Sequence, residues 1–406
     1  MIVKDVHITL TTESAILSAT CKIRKLGWDT IYFKVDAAKQ AYLCGDASPF
    51  AAALLLPAMK KQESLIIHGT ISKQLFDGMQ AIMKEVSNWG IGLQPIEIKV
   101  DHLVEDTHSP KKTACFFSGG VDSFYTYLKH KNSSNSAKRI DSFILVNNAF
   151  DVDPRNKQLW HDTVANIQAI ADAEKVELVI VESNVNTHEL LAPIVTWDYL
   201  HGACLAAAGL ALRRGFKRVY ISSTHSEEEQ IPWGSNLSVD SHWSTEKTTF
   251  THDGSEATRL NKVITQIAKS PVALKYLRVC YMNSDGAYNC GTCDKCMRTM
   301  VNLYIAGALS KSQTLPTKLN IKQIASTPTI RGRDGGIFHT ENLKALEEKK
   351  LNRPLQLALR NSLNITEKED EQKAAFRDVI IRIDHSYCKG YVYATLSSVI
   401  GRKFTT

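Results

Sequence analysis

Apolar and polar positions along the first hundred residues fall into short alternating runs, read here as strands at Ile31–Val35, Ser64–Gly69 and Ile96–Val100. Lys73 to Lys84 switches to helical spacing between the last two. From about residue 111 the pattern becomes strand followed by helix. Near-continuous apolar runs at Ala114–Phe117, Ser142–Val146, Glu177–Val181 and Arg218–Ile221 predict strands, and amphipathic stretches at 121–131, 156–173 and 197–214 predict helices. Apolar strands between amphipathic helices predict an α/β fold whose parallel sheet carries helices on both faces. Beyond 310 the pattern is mostly helical, with a solvated charge run at Glu347–Lys350 and a turn at Arg331–Gly336. The chain therefore divides into an α+β module over 1–105, a central α/β domain over 111–308 and a helical extension over 309–406.

At 406 residues the chain exceeds what one compact core holds, so several domains are expected. With 44% hydrophobic and 22% charged residues the composition is globular. The net charge of +7 permits anionic ligands, but no Arg/Lys-dense patch interleaved with aromatics argues for nucleic acid. The first residues lack the regions of a signal peptide, and Ala51–Leu56 is too short to span a bilayer, so a cytoplasmic, membrane-free protein is expected. Its nine cysteines then read as thiols or metal ligands rather than disulfides.

The most informative segment is Phe117, Ser118, Gly119, Gly120, Val121, Asp122, Ser123, placed between an apolar strand and a helix. That layout aims backbone N–H groups and the positive end of a helix dipole at one spot, which suits an anion. The glycines allow close approach of a phosphate, and Ser118 and Ser123 add hydroxyls. No GxxxxGK[ST] is present, so this is not the phosphate loop of that ATPase class. Downstream, Cys280, Cys290, Cys293 and Cys296 form C-x9-C-x2-C-x2-C, while Cys21, Cys44, Cys115, Cys204 and Cys388 are scattered. Four thiolates with no open position suit a structural zinc ion; an iron–sulfur cluster could use the same ligands.

The hexapeptide matches the SGGxDS signature of the N-type ATP pyrophosphatases. Together with the cysteine spacing, it makes residues 111–305 resemble the 7-cyano-7-deazaguanine synthases, whose zinc site is spaced C-x8-C-x2-C-x2-C. The resemblance implies a Rossmann-like sheet of the adenine-nucleotide α-hydrolase type. It also implies ATP-dependent adenylation of a small-molecule carboxylate, 7-carboxy-7-deazaguanine or similar, with release of pyrophosphate and capture by an amine. Ser118, Gly119, Gly120 and Ser123 would hold phosphate, Asp122 would help place Mg²⁺, and adenine would lie near Val146 and Asn147. Lys262 falls where the family has a phosphate-directed lysine, and Arg259 shares its helical face; either could instead be a solvated charge.

On the substrate side, Asp240 can accept a deazaguanine N–H edge, with Trp233 or Trp243 stacking on its face. The same tryptophans also suit a surface loop packed on the sheet. His225 and His242 read as structural. Two departures from the family pattern fall here: Leu200–Leu205 keeps Gly202 but lacks an Arg-Asn pair, and the 223–247 loop is long. The acceptor stays open between ammonia and a protein amine. The additional terminal regions favour a macromolecular partner, and the 1–105 module is a candidate docking element. A homodimer is compatible with the sequence. The alternatives are a tRNA-modifying enzyme of the same superfamily, or a non-catalytic nucleotide-binding scaffold.

Overall fold

The computed structural model describes residues 1–23, 27–147, 152, 156–185, 191, 193–327 and 336–365. The Arg331–Gly336 turn, save Gly336, and Cys388 lie outside the described residues, as does the extension beyond 365. Two compact units divide the chain, Met1–Asn289 and Cys290–Thr406.

The first unit is built on one sheet. A hairpin of β1 (Ile2–Leu10) and β2 (Ser14–Lys22) leads to β3 (Asp29–Asp36). The hairpin turn is closed by Thr11, whose N–H donates to the Ser14 carbonyl at 2.8 Å and whose Oγ1 accepts from Ser14 N–H at 2.9 Å. Next come α1 (Ser48–Lys61), β4 (Leu65–Ser72), α2 (Lys73–Ser87) and β5 (Ile98–Val104). The following strands and helices alternate: β6 (Lys112–Phe116), α3 (Val121–Lys131), β7 (Ser142–Asn147), α4 (Lys157–Glu174), β8 (Glu177–Ser183), α5 (Trp197–Ala211) and β9 (Phe216–Ser222). The unit closes with β10 (Thr249–Asp253), α6 (Arg259–Thr265) and α7 (Pro271–Tyr276).

The ten strands among the described residues join one sheet in the order β10-β9-β6-β7-β8-β3-β2-β1-β4-β5. Six of its nine pairings are parallel; the antiparallel ones are β1–β2, β2–β3 and β3–β8. The strands of residues 1–104 therefore continue the same sheet as those of 112–253, joined where Phe33 and Lys34 pair with Ser183 and Glu182. Asn184 reinforces the seam, accepting from Tyr32 N–H at 3.1 Å and donating to the Thr30 carbonyl at 2.8 Å.

The apolar run noted at residues 51–56 lies inside α1, whose residues Ser48 to Met59 are all buried. A helix that is apolar all round must be enclosed. Here it packs on α5, itself rich in alanine and buried along most of its length. Below this pair, Arg213 is 3% exposed as a side chain and salt-bridges both Asp46 and Asp106, tying the N-terminal residues to the start of β9. At the amino ends of the central strands Glu177 accepts from Lys112, Ser142 and Tyr42 at about 2.9–3.1 Å and pairs with Lys39.

The second unit comprises α8 (Asp294–Ile305), α9 (Ile321–Ser326), α10 (Ile337–Glu348) and helical residues 353–365. Asn302 donates to Asn342 at 2.6 Å, and the Arg298 guanidinium sits 4.2 Å from the Phe338 ring centroid. The charge run at 347–350 is at the end of α10, largely exposed as expected. No helix among the described residues is long and apolar enough to cross a membrane.

Candidate functional site

The hexapeptide turns out of β6 beside the point where the strand order reverses. Within the parallel strands the order is β8-β7-β6-β9-β10, so the chain moves outward from β6 in one direction and then in the other. Ligands of open α/β sheets sit beyond the carboxyl ends of the strands at such a point. Gly119 adopts φ +75°, which an L side chain rarely tolerates, and Gly120 caps α3 without any side-chain cap on the helix's first N–H groups. Ser123 Oγ donates to the Gly120 carbonyl at 3.1 Å, so that hydroxyl braces the turn. Arg278, missed in the sequence, packs on the same turn: its N–H donates to the Gly119 carbonyl at 2.9 Å and the residue is 3% exposed. Phe117 is buried and stacks on Phe143, with ring centroids 4.0 Å apart.

Asp122 is where distant parts of the chain meet. One carboxylate oxygen accepts from Lys262 Nζ and the other from Arg259 Nη1, each at 3.1 Å, across 140 and 137 residues of sequence. Lys262 is fully buried and Arg259 is 4% exposed. Neither is a solvated charge, so the ordinary-surface reading of both is removed. Lys262 also donates to the Ser223 carbonyl at 2.5 Å, and its ammonium lies 5.8 Å from the Tyr125 ring centroid. Thr258 positions the pair by capping α6 through its side chain.

Further strand ends complete the rim. Asp253, last in β10, accepts from Lys129 at 3.0 Å and lies 2.9 Å from His130 Nε2. Burial works against its charge, but His130 and Lys129 outweigh burial and hold its pKa below the ordinary carboxylate value. At the ends of β7 and β9, Asn147 Oδ1 and Ser222 Oγ are enclosed with no hydrogen-bond partner among the described residues. Val146 and Asn147 are half-buried there. Buried polar atoms are seldom left unpaired, so these two mark places a polar ligand would satisfy.

The long loop between β9 and β10 folds over α5. Gly202 is needed for contact: a Cβ there would fall 1.8 Å from the Gly234 carbonyl oxygen. Trp233 is half-buried, edge-on to His201 and His225 at 5.2 and 5.6 Å between centroids. Trp243 is fully buried within the hydrophobic core. Asp240 is also fully buried; its Oδ2 accepts from Ser235 Oγ at 2.6 Å and lies 2.8 Å from His252 Nδ1, while Oδ1 has no partner among the described residues. The N-terminal residues support this loop from behind. Glu246 accepts from Ser72 Oγ and Gln74 N–H at 2.9 Å, at the start of α2, and a Cβ at Gly78 would fall 1.9 Å from the His242 carbonyl oxygen.

The four cysteines form a possible metal-binding cluster, with all four Sγ atoms within 4.8 Å of one another. A zinc ion bound by sulfurs at about 2.3 Å requires a tetrahedron with edges of about 3.8 Å, so small side-chain rotations suffice. The backbone is already arranged for thiolates. Asn283 N–H points to Cys280 Sγ at 3.1 Å, and Thr292 and Cys293 N–H point to Cys290 Sγ at 3.4 and 3.3 Å. Cys293 Sγ caps α8 by accepting from Cys296 N–H at 3.5 Å. Gly291, at φ +72°, makes this turn possible. Donor set and backbone polarity both fit a metal such as zinc. The other described cysteines are buried apart from this cluster, and burial pushes the Cys21 thiol up to about 12 and Cys44 to about 11, which keeps them protonated.

Comparison with protein-family models, with curated proteins and with solved structures found no match to this chain.

Proposed function

We propose that this chain is an ATP-dependent enzyme that adenylates a carboxylate of the 7-carboxy-7-deazaguanine kind and passes the acyl group to an amine. The observation that carries the reading is the convergence of Lys262 and Arg259 on Asp122, at the uncapped start of α3. Two buried cations drawn to one carboxylate beside a glycine turn form a pre-built receptor for a polyanion. Arg278, also buried, braces the same turn through its backbone N–H. The strand order β8-β7-β6-β9-β10, with the turn at its reversal, supports a Rossmann-like domain of the adenine-nucleotide α-hydrolase type.

In this reading the α3 N–H groups and Gly119–Gly120 hold phosphate oxygens, and Lys262 and Arg259 offset the charge that grows on the α-phosphate as the carboxylate attacks. Asn147 Oδ1 and Ser222 Oγ, on either side of the turn, receive polar edges of the nucleotide. Asp122 is the carboxylate that would hold Mg²⁺; it is 23% exposed and reachable, and its present partners are cations that phosphate would draw away. Bound Mg²⁺ would supply charge neutralisation between phosphates. On the substrate side, the Trp233 face and Asp240 Oδ1 are the groups left to recognise a flat, N–H-bearing acid. The acceptor is an amine, either ammonia or one carried by a protein partner docked through residues 1–105.

The test is carboxylate-dependent exchange of radiolabelled pyrophosphate into ATP. Exchange that needs 7-carboxy-7-deazaguanine and is lost in Asp122→Ala is the expected result. Exchange that survives Asp122→Ala removes the loop from the chemistry.

A further inference from the structure

His252 was not singled out by the sequence, because it sits in the short polar strand β10 (Thr249–Asp253). Side chains alternate along a strand, so Asp253 faces His130 of α3 while Phe250 and His252 share the other face. Phe250 on that face packs against Gly209 of α5, where an added Cβ would meet its ring at 2.7 Å. His252 is thus near the carboxyl end of the sheet, under the loop that carries Trp233 and Asp240. Its Nδ1 lies 2.8 Å from Asp240 Oδ2, and its side chain is only 4% exposed. Asp240 Oδ2 also takes the Ser235 hydroxyl at 2.6 Å.

An ionised carboxylate can only accept, so the proton of a neutral imidazole is drawn to Nδ1 and the lone pair falls on Nε2. His252 makes its hydrogen bond among the described residues through Nδ1, and Asp240 Oδ1 is enclosed with no partner among them. In that tautomer the dyad offers Nε2 as an acceptor, the complement of a group bearing an N–H bond, while Oδ1 stays enclosed. The strand end is also linked to the phosphate turn: Ser223 N–H donates to the Asp253 carbonyl at 2.7 Å, and the Ser223 carbonyl accepts from Lys262.

The geometry points to His252 as the general base of the second half-reaction, with Asp240 as its positioning residue; this rests on the adenylation reading above. The amine nitrogen attacks the acyl carbon of the acyl-adenylate and a C–N bond forms. The bond from that carbon to the phosphate oxygen breaks with its electron pair, so AMP leaves. The surplus proton on the new ammonium nitrogen passes to His252 Nε2, and Asp240 steadies the resulting imidazolium.

The experiment compares two rates in the full chain with ATP, 7-carboxy-7-deazaguanine and ammonium chloride: pyrophosphate exchange, and formation of the amide or nitrile. His252→Asn keeps an N–H donor toward Asp240 but removes Nε2. A fall of about 100-fold in the ratio of capture to exchange is expected, as is partial recovery of capture in His252→Ala on adding imidazole. Parallel losses of both rates, or capture unchanged in His252→Asn, would overturn the assignment while leaving adenylation standing. Absence of exchange in the unaltered protein would remove adenylation and the base together.

Discussion

At the scale of single residues, the site depends on how Asp122 shares its two oxygens. Replacing Lys262 by methionine keeps the bulk of a fully buried side chain but leaves Asp122 with Arg259. Because the carboxylate retains a cation and some solvent, the stability loss should stay at about 1–3 kcal/mol. Pyrophosphate exchange should fall by about 100-fold or more, since the lost charge faces the developing negative charge. Denaturant titration and exchange measured on the same preparation check both halves; a large stability loss with exchange retained would make Lys262 structural. Gly119→Ala is a second case. The space there is open, with the nearest side-chain atom 3.9 Å from an added Cβ, so the cost is the φ of +75° alone, about 1 kcal/mol. Ser118 to Ser123 were legible in the sequence because strand, glycine turn and helix are contiguous. The partners of Asp122 were legible only by analogy, since no local pattern brings residues 122 and 262 together.

At the scale of elements, the cysteine loop was the most legible because thiols that could share a metal are closely spaced along the chain. Removing zinc by chelation, or Cys293→Ser, should lower the melting temperature by at least about 5 °C, and the untreated protein should release about one zinc per chain. A colorimetric chelator assay with a thermal scan measures both. Other elements were hidden for stated reasons. β10 is five residues long with four polar ones, and β1 carries Lys4, Asp5 and His7 amid a register shift between Lys4 and His7. The helix α1 has no polar face to give a 3.6-residue rhythm, so its Ala/Leu run was read only for what it could not span. Trp243 and Trp233 looked equivalent in sequence. Burial separates them: the first is in the core and the second is half-buried against His201 and His225.

For the first unit taken whole, the seam between its N-terminal strands and the central sheet is partly electrostatic. Burial disfavours the charge of Glu177, but hydrogen bonds from Lys39, Lys112, Ser142 and Tyr42 outweigh burial and hold its pKa at about 2. A folded-state pKa depressed from 4.5 gives stability that is present above 4.5 and is lost as the pH falls toward 2. Glu177→Gln should therefore flatten the acid limb of the stability curve over that window while changing little of its slope above it. Urea titrations at stepped pH would show this; an unchanged acid limb would mean the cluster is already satisfied without the charge. The continuity of the sheet across this seam could not be read from periodicity, because strand pairing over 150 residues leaves no local trace. The clasp of Glu246 on the start of α2, with His242 seated on Gly78, makes that remote helix a strain gauge. Amide hydrogens along residues 73–87 should exchange more slowly once an acid analogue settles beneath Trp233, although no ligand atom touches them.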